Sequence, residues 1–147
     1  MEKHKARLAS FIILERDGKI LLARRFNTGY ADGQYQMPSG HVESNEFPAE
    51  AIIREAKEEI GIDINISDLE CVHVSYRLNK VDSAGDYVDF FFKAKKWSGE
   101  LINAEPDKCD EIIWVPIDDL PKNTVSVVKE VLGRIIKGDS FSQIRQN

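Results

Sequence analysis

The sequence lacks the features that mark secreted, zinc-stabilised or membrane-spanning proteins. Only two cysteines, Cys71 and Cys109, occur among 147 residues, and their wide separation supports neither a disulfide framework nor a zinc site. No apolar run approaches the length of a membrane span. The apolar stretch near the N-terminus stops at Glu15 without a small-residue cleavage site, which favours a strand over a signal peptide. We therefore expect a cytoplasmic protein that does not associate with membranes.

An excess of basic charge is also absent. The chain has 20 Lys and Arg against 25 Asp and Glu, a formal net charge of −5, whereas binding of duplex nucleic acid requires a basic surface. The chain has no internal repeat and no low-complexity tract, and its length falls in the usual one-domain range. These observations predict a single domain over residues 1–147 that acts as a monomer or homodimer and does not bind duplex nucleic acid.

The pattern of apolar and turn-forming residues predicts alternating strands and helices. A turn at 16–19 joins the first two strands in a hairpin, 26–36 has the composition of a loop, and the polar last ten residues are expected to be loose. The expected strands cover 8–15, 20–25, 71–78, 87–97 and 112–115. Two helices are expected, one that begins near 47–48 and one that runs from about 124 to 136. A mixed sheet with helices on both faces, an α/β/α sandwich of the α/β class, accommodates this order.

The most specific pattern in the chain lies in residues 40–62, GHVESNEFPAEAIIREAKEEIGI. Pro48 suits the first turn of a helix, where its missing N–H costs nothing, and Asn45 or Glu46 is a candidate N-cap. Gly61 suits the left-handed position that ends the helix. At about 100° per residue, one stripe of the helix should be buried, and it consists of Ala49, Ile52, Ile53, Ala56 and Ile60.

Three glutamates, Glu55, Glu58 and Glu59, lie on another face of the same helix at spacings of one, three and four residues. Three like charges this close destabilise a helix, and Mg²⁺, which prefers carboxylate and phosphate oxygens, would relieve the repulsion. An ordinary solvated acidic face is the alternative interpretation. Arg54 is placed to pair with Glu46 and Glu58 and so to fix the preceding loop against the helix.

The spacing resembles the Nudix box, G-x5-E-x7-R-E-U-x-E-E-x-G-U with U aliphatic, and matches it at every position, with Ala56 and Ile62 at the U sites. This resemblance, which extends over essentially the whole chain, implies a Nudix-type fold and Mg²⁺-dependent hydrolysis, with Mn²⁺ as a substitute. Glu58 and Glu59 would be the main metal ligands, with Glu55 as a ligand or as the residue that orients the base. Gly40 and Ser39 would supply a tight turn and a carbonyl.

Similarity to MutT-type nucleoside triphosphate pyrophosphohydrolases points to further residues outside the box. It places Arg25 at a phosphate-contacting position, with Arg24 as the solvated alternative. It also implies that a glutamate of the 103–111 loop joins the metal site or activates water. Glu105 is our choice for that role, and Asp107, Asp110 and Glu111 are its competitors.

Several aromatic side chains could stack a base, although aromatics at strand spacing are more often core residues. These aromatics are Tyr30, Tyr35, Tyr76 and Phe90 to Phe92. Among the histidines, we expect His41 to be a positional loop residue rather than a ligand, and His73 to be packed or at the surface rather than catalytic.

Departures from the family pattern bear on the substrate. Ser39 replaces the first glycine of the pair that often opens the box, and Pro116 stands where enzymes selective for oxidised guanine carry an asparagine. Downstream signatures of the ADP-ribose, dinucleoside polyphosphate, NADH and coenzyme A subfamilies are missing. The resemblance therefore favours hydrolysis of (deoxy)nucleoside triphosphates to monophosphate and pyrophosphate. Another nucleoside diphosphate derivative (a nucleotide sugar, a dinucleoside polyphosphate or a capped RNA) and a non-catalytic nucleotide-binding domain remain alternatives.

Overall fold

The computed structural model describes residues 1–146 and contains eight strands, two α-helices and one short 3₁₀ helix in that range. The strands are β1 (Ala6–Arg16), β2 (Lys19–Arg25), β3 (Tyr35–Gln36), β4 (Ser39–His41), β5 (Glu70–Asn79), β6 (Asp86–Ala94), β7 (Cys109–Pro116) and β8 (Phe141–Gln146). The helices are α1 (Pro48–Ile60) and α2 (Ser126–Ile136), and the 3₁₀ helix is Ile66–Asp68. Neither α-helix has the length and apolar character that crossing a membrane would need.

The sheet is mixed, and β1 is its organising strand. Along most of its length β1 pairs in parallel with β6, which continues to β5 and β8, while residues 9–11 of β1 also pair with β4. At its far end β1 meets β2 only around the hairpin turn, so that β2 diverges to pair with β3 and β7. The divergence opens a cleft between β2–β3 on one side and the β1–β6–β5 surface on the other.

Alternating residues of β1 face two separate cores, because successive side chains of a strand point to opposite faces. Phe11 and Ile13 pack in the core that includes the apolar side of α2, and Ile12 and Leu14 pack in the core beneath α1. One helix therefore covers each face, and the expected α/β/α sandwich with a mixed sheet is confirmed.

Helix α1 begins and ends close to the predicted positions. Pro48 is its first residue and Gly61 ends it with φ of 76°. The N-cap prediction was wrong, because the residue before the helix is Phe47, whose N–H donates to the Glu50 carboxylate at 2.9 Å. Asn45 instead takes a left-handed turn conformation, with φ of 63°.

The buried stripe of α1 differs from the predicted one at its N-terminal end. Ile52, Ala56 and Ile60 are buried as expected, but Ala49 is only half-buried and Ala51, absent from the predicted stripe, is fully buried. Ile53 is also half-buried and packs at the margin of the same core. The sheet therefore contacts the first turn slightly to one side of the predicted stripe.

The C-terminal prediction was wrong. Instead of a loose tail, residues 141–146 form β8 and pair in parallel with β5. Ser142 and Ile144 point inward and are buried, while their neighbours face solvent. Two smaller corrections concern strand limits, because the loop after β2 ends in the short β3 and the strand expected to reach Trp97 stops at Ala94.

Candidate active site

The box helix and strand β4 meet at Gly40. A Cβ atom on this residue would overlap the carboxyl end of the Glu55 side chain, so glycine leaves room for Glu55 in the position it takes here. The N–H of the preceding residue, Ser39, donates to Glu59 Oε2 at 3.3 Å. Ser39 and Gly40 are thereby held directly against two of the three helix glutamates. The prediction of a tight turn at these two residues was wrong, because both lie in β4 and pair with β1.

Arg54 joins the loop before α1 to the helix, as its spacing predicts. Its Nε donates to Glu46 Oε2 at 2.9 Å and its Nη2 to Glu46 Oε1 at 3.1 Å. Nη1 donates to Glu55 Oε1 at 2.7 Å and lies 3.6 Å from Glu58 Oε2. Nη2 also donates to the His41 carbonyl at 3.1 Å. One guanidinium thus fixes the positions of Glu55, the β4 end and the loop.

Glu55 and Glu59 converge on Gly40 and Ser39 of β4, and each carboxyl group affects the pKa of the other. Burial, reinforced by the charge of Glu55, raises the pKa of Glu59 well above its ordinary value. Burial also raises the pKa of Glu55, although Arg54 opposes the shift. Glu58 differs from both, because its side chain is 53% exposed. The site therefore disfavours the ionised forms of both carboxyl groups, most strongly that of Glu59.

Glu105 lies across from the helix glutamates. It lines the same cavity as Glu55, Glu58 and Glu59, a space of about 320 Å³, and its charge contributes to the raised pKa of Glu59. The loop that carries it is tied to the end of α1, since the Ala104 N–H donates to the Glu59 carbonyl at 3.0 Å.

The three competing acidic residues are placed differently from Glu105. Asp110 and Glu111 bind Arg24 at 2.7 and 3.3 Å, and neither of them lines the glutamate cavity. Asp107 is exposed and also lies outside the cavity lining. Of the four acidic residues considered for this role, Glu105 is the one that reaches the helix glutamates.

The two arginines at the end of β2 have different surroundings. Arg24 is paired with Asp110 and Glu111, so it is not the freely solvated strand end that the sequence left open. Arg25 forms no ion pair within residues 1–146. Its Nε donates to the Tyr30 carbonyl at 2.7 Å and its Nη2 to Thr28 Oγ1 at 3.1 Å. The charge of Arg25 therefore remains available to an anion in the cavity.

A second and larger cavity of about 460 Å³ adjoins the first, and both are lined by Arg25, Gln36 and Ser39. Its apolar floor and aromatic flanks come from Ala9, Phe11, Tyr30, Tyr87, Val125, Val127 and Val128. The other candidate aromatics lie elsewhere, because Tyr35 is buried against Glu111 and Tyr76 binds Asp86. Pro116 does not line either cavity.

His73 is packed, one of the two placements expected for it, whereas His41 is the last residue of β4 rather than part of a loop. The His41 carbonyl accepts the hydrogen bond from Arg54, and the buried ring of His73 contacts the Asp139 carbonyl and Ser142.

Sequence reasoning missed a polar end of the larger cavity. Arg77 lies there, with two hydrogen bonds to the fully buried Asp89 at 2.8 and 3.0 Å, and it also binds Gln146. Lys108, in the glutamate cavity, was missed as well. The available signal was the position of Asp89 inside the apolar stretch 87–94. A charged residue is rarely buried without a partner, so this position could have predicted a buried ion pair.

The donor set beside Ser39 and Gly40 fits a divalent cation. Burial and the neighbouring carboxyl groups disfavour the ionised forms of Glu55 and Glu59, a cation would favour those ionised forms, and oxygen donors of this kind suit Mg²⁺. Over residues 1–146, no three acidic, histidine or cysteine side chains are already gathered into a compact ligand cluster. Glu55 and Glu59 form the convergent pair, and Glu58 and Glu105 border the same space.

Comparison with known proteins gives the family of this fold and site. A model of the NUDIX domain matches residues 4–134. An 8-oxo-dGTP diphosphatase from Proteus vulgaris is 32% identical over 106 residues, which cover 69% of this chain and 86% of the relative. An ADP-ribose pyrophosphatase from Methanocaldococcus jannaschii is 34% identical over 110 residues, which cover 75% of this chain and 62% of the relative.

A solved structure leads to the same family. The crystal structure of a MutT NUDIX hydrolase from Burkholderia pseudomallei superposes with a TM-score of 0.80 at 27% identity, covering 88% of this chain and 98% of that one. The chain therefore belongs to the NUDIX family and is a MutT-like pyrophosphohydrolase of phosphorus-containing anhydrides.

Proposed function

We propose that this enzyme is a Mg²⁺-dependent pyrophosphohydrolase that cleaves (deoxy)nucleoside triphosphates to the monophosphate and pyrophosphate. The observation that carries the proposal is the junction of two unlike cavities at Arg25, Gln36 and Ser39. One cavity is lined by carboxylates and cationic side chains, and the other combines an apolar floor and aromatic flanks with a polar end at Arg77. A nucleoside triphosphate has the same division between an anionic chain and a flat, largely apolar base.

The phosphate chain would lie in the carboxylate cavity. Arg25, which forms no ion pair in the described part of the chain, and Lys108 supply positive charge there. Charge-assisted hydrogen bonds from an arginine to phosphate are among the stronger polar contacts in proteins. The base and sugar would lie in the larger cavity, where Tyr30 and Tyr87 offer aromatic faces.

Glu55 and Glu59 would hold Mg²⁺, with Glu58, Glu105 and the Gly40 carbonyl as the remaining protein oxygens, and Mn²⁺ could substitute. When bound, the cation neutralises phosphate oxygens and lowers the pKa of a coordinated water. Glu59 is the more enclosed of the two central glutamates.

The chain's own residues prepare this site before substrate arrives. Arg54 fixes the Glu55 carboxylate through Nη1 and fixes Glu46 through two further N–H groups. The Ser39 N–H holds one oxygen of Glu59. Positioning of this kind reduces the reorganisation required when charge develops on the reacting phosphoryl group.

A second candidate substrate class is a nucleoside diphosphate linked to another group. It is favoured by the ADP-ribose pyrophosphatase of M. jannaschii, which is 34% identical over 75% of this chain. A nucleotide sugar, a dinucleoside polyphosphate or a capped RNA would use the same carboxylate cavity. A non-catalytic nucleotide-binding domain is disfavoured, because binding alone would not require the complete set of box glutamates and Arg54.

A nucleotide panel assayed with Mg²⁺ tests the proposal. We expect nucleoside triphosphates to give pyrophosphate and no orthophosphate, and we expect exhaustive chelation to abolish turnover until Mg²⁺ or Mn²⁺ is restored. Undiminished turnover after chelation would refute the metal mechanism. Turnover of only nucleotide sugars, ADP-ribose or dinucleoside polyphosphates would refute the triphosphate assignment but leave the role of the carboxylates intact.

A further inference from the structure

Strand β8 contributes a side chain to the larger cavity although it lies beyond residue 134, where the match to the NUDIX domain ends. The main chain of β8 is fixed near both ends. The ring nitrogens of the buried His73 lie 2.9 Å from the Asp139 carbonyl oxygen and 2.8 Å from Ser142 Oγ. At the other end, the Lys80 N–H donates to the Gln146 carbonyl at 2.9 Å. The sheet therefore sets where the Gln146 side chain enters the cavity.

Gln146 connects two residues that are distant from it in sequence. Arg77 Nη1 donates to Gln146 Oε1 at 3.0 Å, and Gln146 Nε2 donates to the Tyr30 hydroxyl at 3.3 Å. Because a guanidinium can only donate, the amide oxygen must face Arg77, which leaves the amide nitrogen for the phenol oxygen. An apolar side chain could not make both contacts.

The two partners of Gln146 differ in how firmly they are held. Arg77 is fixed by its two hydrogen bonds to the buried Asp89, and its guanidinium carbon lies 4.2 Å from the centre of the Tyr87 ring. Tyr30 is 42% exposed and belongs to the loop between β2 and β3. Gln146 thus ties an exposed aromatic side chain to a fixed point on the sheet.

We propose that Gln146 is a positioning residue for the nucleoside part of the substrate, and that it acts by holding Tyr30 across the larger cavity. The inference rests on the proposed function, because it takes that cavity as the nucleoside site. A tyrosine held in place loses less conformational freedom when a base stacks on it, and the affinity for the base rises accordingly.

The hydrogen bond between Gln146 and Tyr30 also bears on Arg25, at the phosphate end of the cleft. Arg25 lies with its guanidinium carbon 5.4 Å from the centre of the Tyr30 ring, and its Nε donates to the Tyr30 carbonyl. A displaced Tyr30 would therefore loosen Arg25 as well. We expect the main effect of losing Gln146 to fall on KM, because none of the carboxylates beside Ser39 and Gly40 contacts Gln146.

The test compares three variants of β8 in the whole protein. Gln146→Leu removes both hydrogen bonds and should raise KM for a nucleoside triphosphate by about three- to tenfold, the range expected for a lost hydrogen bond, while kcat changes by less than about twofold. Gln146→Glu should restore KM, because a carboxylate accepts from both Arg77 and the Tyr30 hydroxyl. Gln143→Leu, on an exposed position of the same strand, is the control and should behave as the wild type.

A second measurement does not depend on turnover. Amide hydrogen exchange in residues 26–34 should accelerate in Gln146→Leu but not in Gln143→Leu or Gln146→Glu. Tyr30→Phe removes the same hydrogen bond, so its effect on KM should not add to that of Gln146→Leu.

The two measurements separate the possible failures. Wild-type KM and wild-type exchange in Gln146→Leu would overturn the inference while the proposed function stood. If the wild-type enzyme hydrolysed no nucleoside triphosphate, the proposed function and the nucleoside role of Gln146 would both fail. The exchange rates would then show whether Gln146 nevertheless holds the loop. A kcat that fell with unchanged KM would also overturn the inference, because it would place the effect at the carboxylates.

Discussion

Arg54 binds both carboxylate oxygens of Glu46, eight residues earlier in the chain, through two N–H groups at 2.9 and 3.1 Å. Both partners are largely shielded, with 26% and 15% of their side chains exposed. The hydrogen bonds from Arg54 lower the pKa of Glu46, so the pair stays ionised through the neutral range. The pair fixes the loop that leads from β4 into α1.

The first prediction follows from this pair. In Arg54→Lys, an ammonium group cannot give two parallel hydrogen bonds to Glu46 and also reach Glu55. We expect kcat to fall by about 10- to 100-fold, the usual cost of losing a residue that orients metal ligands, together with weaker activation by Mg²⁺. Steady-state kinetics over a Mg²⁺ titration measure both effects. Lys57→Gln, on the exposed side of the same helix, is the control, and an equal loss there would contradict the interpretation.

The second prediction concerns Glu59. Glu59→Gln keeps the shape of the side chain and removes its charge, so kcat should fall by about two to four orders of magnitude if the carboxylate holds the metal. The melting temperature in chelator should rise, because burial and Glu55 disfavour the charged form of Glu59. The kinetic control is Glu130→Gln on α2, whose carboxylate contacts Arg134.

Glu58→Gln completes the second prediction. Its side chain is more exposed, and we expect a smaller but clear loss of kcat. Near-wild-type rates in both Glu58→Gln and Glu59→Gln would favour the alternative that these residues form an ordinary solvated helix face.

The difference between what the sequence predicted and what it missed is physical. The box places Gly40, Glu46, Arg54 and the glutamates within one loop and one helix, and local geometry fixes how such residues meet. Arg54 therefore contacts Glu46, as its spacing predicts. The strand hairpin at the N-terminus was predictable for the same reason, since a short turn connects its two halves.

The wall of the larger cavity carries no comparable local signal. Strand β8 has only two buried residues, Ser142 and Ile144, and its partner β5 lies more than sixty residues away. An alternation of inward and outward side chains over so short and polar a segment does not distinguish a strand from a loose tail in the sequence. Gln146 becomes recognisable only through its contacts with Arg77 and Tyr30, which depend on the assembled sheet.

The third prediction uses the pH dependence of stability at Asp89. Burial raises the pKa of Asp89 despite the opposing effect of Arg77. The folded protein therefore keeps this proton to a higher pH than the unfolded chain, so the contribution of Asp89 to stability falls as pH rises from the ordinary aspartate pKa through the raised one. Relative to the wild type, the free energy of unfolding of Asp89→Asn should increase as pH rises.

Asp86, three residues earlier on β6, provides a control of opposite sign. Its pKa is lowered by the hydrogen bond from the Asn79 N–H, so its stabilising contribution is present above the ordinary pKa and lost in acid. Asp86→Asn should therefore become less stable than the wild type as pH rises. Denaturant unfolding at a series of pH values measures both differences, and the same sign for the two variants would contradict the assignment.

The fourth prediction concerns oxidised guanine. MutT-type enzymes that select 8-oxo-dGTP carry an asparagine at the position of Pro116 here, and Pro116 contributes to neither cavity. A pyrrolidine ring also offers no side-chain hydrogen bond to distinguish an 8-oxo group. We expect kcat/KM for 8-oxo-dGTP to exceed that for dGTP by less than about tenfold, or less than about 1.4 kcal/mol of discrimination. Competition between the two nucleotides in one reaction measures the ratio directly.

A preference of a thousandfold or more would show that another residue reads the base. The loop at 26–36 would then be the place to look, because Tyr30 and Gln36 from this segment both line the larger cavity. Gln36 is the sharper candidate of the two, since its Oε1 accepts the Met37 N–H at 3.0 Å and its amide NH₂ has no partner within residues 1–146. Gln36→Leu would then remove the preference for 8-oxo-dGTP, whereas Tyr30→Phe would lower kcat/KM for both nucleotides alike.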